Sequence, residues 1–162
     1  MKILIKAAKV IDPNSSFNGK TVDVFIEEGV IKNIGKNLSD NADKVLEEKN
    51  LHISPGLMDM HAEFCEPGME YKEDLISGAN AAAKGGFTSV AIMPNTTPTR
   101  SSKTDIEFVK SKTQNHIVDV LPIGALSHNL EGKELAEIFD MKQAGAVAFS
   151  DNKKAIESSG LM

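Results

Sequence analysis

Residues 54–68, SPGLMDMHAEFCEPG, constrain this chain more than any other stretch. An apolar run, Leu57–Met60, leads into His61 and Glu63 and then into a Cys-Glu-Pro-Gly turn. Side chains of a strand alternate between its faces, so His61 and Glu63 point the same way at the strand's C-terminal end. In a β/α barrel that end carries the chemistry. Asp59 adds a carboxylate just before the histidine.

The sequence around this segment has two textures. From residue 53 onward, strands and helices alternate. The apolar patterning predicts strands over Leu57–Met60, Thr88–Met93, Ile117–Ile123 and Ala146–Ser150. It predicts helices over Lys72–Lys84, Lys103–Lys112 and Gly132–Gln143, with Gly85-Gly86 stopping the first. This alternation indicates βαβ units with parallel pairing. Residues 1–52 read instead as a small β-sheet. Ile3-Leu4-Ile5 and Val10-Ile11 flank a polar stretch, and Asp12-Pro13-Asn14 makes a turn. Val22, Val24 and Ile26 alternate with Asp23, Phe25 and Glu27, and Glu28-Gly29 turns the chain into Val30–Ile34, a hairpin signal. A further strand fits Lys44–Glu47.

Composition excludes several classes. The net charge is −5 with no basic block, which leaves no footprint for nucleic acid. The single cysteine, Cys65, permits no internal disulfide and suits a reducing cytoplasm. The N-terminal MKILIKAAKVIDP is a poor signal peptide and too short to span a membrane.

Taken together, Pro55, Gly56, Leu57, Asp59, His61, Pro67 and Gly68 resemble the P-G-[LF]-[IV]-D-x-H-x-H-x-R-x-P-G pattern of dihydroorotases and related cyclic amidohydrolases. The match continues through Tyr71-Lys72-Glu73-Asp74, Ala81–Thr88, Met93-Pro94-Asn95-Thr96, Leu121–Leu126 and Ala146–Asp151. The resemblance implies an α/β fold: over 53–162, the first four strands of a (β/α)8 TIM-type metal-dependent hydrolase barrel, preceded over 1–52 by part of a small β-sandwich. Four strands do not close an eight-stranded barrel, because closure couples strand number, tilt and shear. The sequence is therefore expected to be one portion of a longer chain.

The resemblance also implies a chemistry. Such enzymes hydrolyse a cyclic amide with zinc, which polarises the carbonyl and lowers the pKa of bound water toward ~7. His61 matches the first metal-binding histidine. Glu63 stands at the second, Cys65 at an arginine that clamps the substrate carboxylate, and Asn95 at a substrate-binding asparagine. The fourth-strand ending [ST]-D-D-G reads here Ser150-Asp151-Asn152-Lys153, so Asn152 stands at the metal-bridging aspartate. A carboxylate at 63 can still ligate zinc. A thiol does not replace a planar bidentate guanidinium, and a neutral amide is a poor bridge between two cations. The expected metal ligands are then His61 and Glu63, with zinc weakly held or absent, and no catalytic residue is assigned.

Plainer roles compete at each position. His61 can be a hydrogen-bonded barrel histidine, Glu63 can pair with a nearby lysine, and Cys65 can be a small apolar filler. Asn95 can serve only its turn. His52, His116 and His128 fall at strand edges or in loops, where no chemistry is expected.

Three functions follow from these substitutions. The first is a catalytically impaired dihydroorotase-like protein of pyrimidine biosynthesis, acting as a homo-oligomer or as a structural partner of aspartate transcarbamoylase. The second is an active hydrolase with an altered metal site. The third is a binder of small carboxylates that uses Asn95.

Overall fold

The computed structural model describes residues 1–39 and 41–161; Met162, the last residue of the expected barrel portion, lies outside them. The chain divides into two units, Met1–Pro55 and Gly56–Met162.

The first unit is a five-stranded sheet. Its strands are β1 (Lys2–Val10), β2 (Thr21–Glu27), β3 (Val30–Gly35), β4 (Lys44–Glu47) and β5 (His52–Ile53). The order is β3-β2-β1-β4, with β5 also pairing β1. Glu28 and Gly29 both adopt left-handed conformations (φ 52° and 77°), which suits a two-residue hairpin between twisted strands. Val10, Val22 and Val24 form the core, with Phe17, Ile26 and Ile34 packed against it.

One strand, β1, runs from the Ile3–Ile5 segment through the polar stretch to Val10. The polar residues between Ile5 and Val10 do not break the strand; they bulge it. The register shifts between Ile5 and Ala8, and Ala7 takes a left-handed φ of 51°. The buried Asp23 carboxylate accepts the freed Ala7 N–H at 2.8 Å and the Leu38 N–H at 2.9 Å. A β-bulge of this kind leaves one residue outside the ladder, and here a side chain satisfies it.

The second unit is a parallel sheet of β6 (Leu57–Ala62), β7 (Phe87–Ile92), β8 (Asp119–Gly124) and β9 (Ala148–Phe149), ordered as in the sequence. The helices α1 (Leu75–Lys84), α2 (Lys103–Thr113) and α3 (Ile138–Ala144) connect them, with a 3-10 turn at His128–Leu130. Alternation along β7 sorts its side chains. Val90 and Ile92 join Phe64, Leu75, Ala79, Val109, Val118 and Val120 in the largest cluster. Ala91 and Met93 join Ile123 in a separate one.

Element ends depart from expectation where side chains cap them. Helix α1 starts at Leu75 rather than Lys72, because Asp74 accepts the N–H groups of Ile76 and Ser77, each at 2.9 Å. The buried Glu66 carboxylate takes the Leu75 N–H at 2.9 Å and pairs with Lys112. Helix α3 starts at Ile138 rather than Gly132, because residues 132–136 bond elsewhere. Gly132 N–H donates to Ser127 Oγ at 2.7 Å, while His128 N–H reaches Glu134 O and Ala136 N–H reaches Leu126 O, each at 2.9 Å. Among the described residues no helix is long and apolar enough to cross a membrane.

Candidate functional site

The C-terminal ends of β6, β7 and β9 bring three of the sequence-predicted residues to one place. Glu63 follows β6, Asn95 lies in the turn after β7, and Asn152 lies in the turn after β9. Asn152 Nδ2 donates to Glu63 Oε1 at 3.2 Å. Lys153 Nζ lies 3.3 Å from the same oxygen, which is the lysine pairing anticipated for Glu63. The Glu63 carboxyl is more acidic than an ordinary glutamate. The Asn152 amide is the main cause, partial burial opposes it, and Asn95 and Lys153 add smaller contributions.

The turn that delivers Asn152 and Lys153 is held from beneath. Asp151 is 4% exposed. Its Oδ1 accepts the N–H groups of Leu126 at 3.0 Å and Ser127 at 2.9 Å, and its Oδ2 accepts the Ser127 hydroxyl. Ser127 Oγ in turn receives Gly132 N–H, so both Asp151 oxygens and the Ser127 hydroxyl of this buried network have partners. Asn152 adopts a left-handed φ of 57° and donates its N–H to Ser150 Oγ at 3.0 Å. Its Oδ1 is buried without a hydrogen-bond partner.

Arg100 holds the neighbouring strand ends. The residue is 1% exposed, and its Nη1 donates to the carbonyls of Ile92, Met93 and Ile123 at 3.2–3.3 Å. Its N–H reaches Pro94 O at 3.1 Å, and its own carbonyl accepts Ala125 N–H at 2.8 Å. One side chain thus ties β7 to β8 beside Pro94-Asn95. Burial pushes its pKa down to about 10, with Asp105 pulling the other way.

The remaining predicted residues make other contacts. His61 is exposed, and its backbone N–H donates to Asp59 Oδ1 at 2.9 Å. Cys65 is part-buried with a φ of 59°, and its thiol donates to Glu63 O at 3.6 Å. His52 and His116 make local bonds, Nδ1 of His52 to Asn50 O at 2.7 Å and Nε2 of His116 to Asn80 Oδ1 at 3.1 Å.

Structural zinc sites use four donors and catalytic ones at least three protein ligands. No group of three or more His, Cys, Asp or Glu placed to hold a metal occurs among the described residues. Glu63 is engaged by the Lys153 ammonium and the Asn152 amide, with the Asn95 amide nearby, and the Asp151 carboxylate is taken up by Ser127 and two backbone N–H groups. By themselves, the described residues do not assemble a zinc site.

Sequence reasoning did not find Arg100 or Ser127, and it took Lys153 only as a departure from a motif. Arg100 sits in an ordinary polar loop with no local signal of burial. Lys153 had a signal: it stands where the resembled pattern has glycine.

The model of the family described as Dihydro-orotase-like matches residues 51–162. A dihydroorotase of Geobacter sulfurreducens is 43% identical over 164 residues, covering 100% of this chain and 38% of that protein. A dihydroorotase of Acetivibrio thermocellus is 45% identical over 162 residues, covering 99% and 38%. The chain thus spans about 38% of the length of these curated relatives. Among solved structures, the L-hydantoinase (dihydropyrimidinase) of Arthrobacter aurescens superposes with a TM-score of 0.72 over 91% of this chain and 32% of that one. At 23% identity that similarity speaks to fold alone: β6–β9 and their helices form a parallel half-barrel resembling part of a TIM barrel. By the extent of the family match, the chain belongs to the dihydroorotase-like family.

Proposed function

We propose that this chain is part of a dihydroorotase-like protein of pyrimidine biosynthesis whose hydrolytic chemistry is impaired, and which serves as a cytoplasmic structural partner of an aspartate transcarbamoylase-type enzyme. One observation carries the impaired chemistry. The carboxylate at the position of a metal-binding histidine, Glu63, is held by Asn152 and Lys153, from the turn where the family has its bridging aspartate. Hydrolysis of a cyclic amide needs a strong nucleophile and a polarised carbonyl at neutral pH. An ion pair flanked by amides supplies neither. The thiol of Cys65 in place of the clamping guanidinium removes the bidentate grip on a substrate carboxylate.

Purified full-length protein is expected to show no turnover of dihydroorotate above background with added zinc, manganese or cobalt. It is also expected to co-elute with an aspartate transcarbamoylase from the same source. Metal-dependent turnover would sink the impaired reading, and separate elution would sink the partnership.

A second reading is an active zinc-dependent dihydroorotase with an altered site. It is favoured by the 43–45% identity to proteins named dihydroorotase. Under it, Glu63→Gln removes an activity that wild type already has.

A further inference from the structure

A carboxylate is by itself a competent zinc ligand, so glutamate in place of histidine at position 63 does not alone exclude metal. What surrounds the carboxylate decides. Asn152 Nδ2 and Lys153 Nζ both meet Glu63 Oε1, at 3.2 and 3.3 Å. Both come from one turn, and that turn departs from the family's [ST]-D-D-G at both places, with an amide for the second carboxylate and a long cation for the glycine. Its root is immobilised by the buried Asp151–Ser127 network. The ammonium therefore reaches Glu63 from a fixed origin on a flexible stem.

The Lys153 side chain is 79% exposed and that of Glu63 34%. A pair this open contributes little to stability, so the fold does not require it. Its electrostatic effect on the site is larger. One carboxylate oxygen, Oε1, already carries an ammonium and an amide hydrogen. A divalent cation approaching it meets a like charge at contact distance.

We propose that Lys153 is the resident cation of this site: its ammonium supplies the positive charge that Glu63 would otherwise find in a metal ion, and keeps divalent metal off that carboxylate. The proposal rests on the metal-free reading above, and its test separates the two.

Zinc uptake by full-length protein stripped of metal is measured by competition with a chromophoric chelator, zinc being the only added probe. Lys153→Met and Lys153→Gly are expected to take up zinc roughly tenfold tighter than wild type, the scale of removing one close like charge. Lys154→Met, an exposed neighbour outside the pair, is expected to match wild type. The gain is expected to vanish when Glu63→Gln is added to Lys153→Met. Lys153 variants that bind no tighter than wild type, or a gain that survives Glu63→Gln, overturn the role of Lys153 and leave the metal-free reading standing. Stoichiometric zinc in wild type that is lost in Glu63→Gln overturns both. Because Lys153 is exposed, unchanged melting temperatures in metal-free buffer are expected to accompany all the lysine variants.

Discussion

Glu63 keeps its charge further into acid than a free glutamate, because the ionised form accepts the Asn152 amide and faces Lys153. The sign follows from linkage. A carboxyl more acidic in the folded state stabilises the fold at pH values above its unfolded pKa, and that contribution is lost as pH falls through the folded pKa. Carboxyl carbon shifts followed by NMR should titrate below the usual 4.5, and Asn152→Ala should move the midpoint back up. A midpoint that ignores Asn152→Ala would contradict the geometry at 3.2 Å. Arg100 is the opposite kind of residue, a buried cation whose work is to satisfy three strand-end carbonyls. Arg100→Met should cost about 2–4 kcal/mol, since buried acceptors lose their donor, and the urea midpoint measures it. A loss under ~0.5 kcal/mol would mean those carbonyls are satisfied without the guanidinium.

At the scale of elements, the segment after β6 and helix α1 meet through a close approach. A Cβ built on Gly78 of α1 would lie 2.6 Å from the Phe64 ring, and Phe64 belongs to the main core. Gly78→Ala should therefore destabilise by about 1–3 kcal/mol through overpacking, outweighing alanine's better helix propensity. Thermal unfolding gives the sign directly; a raised melting temperature would show that Phe64 can yield. Elements governed by local pattern were legible in the sequence. The hairpin over β2 and β3 followed from alternation and Glu28-Gly29, and α2 from its apolar spacing. Elements governed by distant partners were not. The bulge in β1 depends on Asp23, in the neighbouring strand, and the late start of α3 depends on bonds from residues 132–136 back to Leu126, Ser127 and His128. Local hydrophobic patterning does not mark either set of residues as bonding partners.

For the molecule, a short signature at one strand end identified the family because its order of strands and turns ran through the whole chain. The family pattern places Glu63, Asn95 and Asn152 at strand ends, and in the structure they follow β6, β7 and β9. It did not reveal that Asn152 and Lys153 would bond to Glu63, because that pairing joins residues 89 positions apart in the chain. Nor did it reveal the buried Asp151–Ser127 network that aims the turn. The expected pairing of His61 with Glu63 as metal ligands finds no third donor among the described residues. The most direct test is a crystal structure of the full-length protein grown with zinc. The prediction is Glu63 bonded to Asn152 and Lys153 with no anomalous zinc peak on the carboxylate. A zinc peak at about 2.0–2.2 Å from a Glu63 oxygen, with Lys153 turned away, would contradict it.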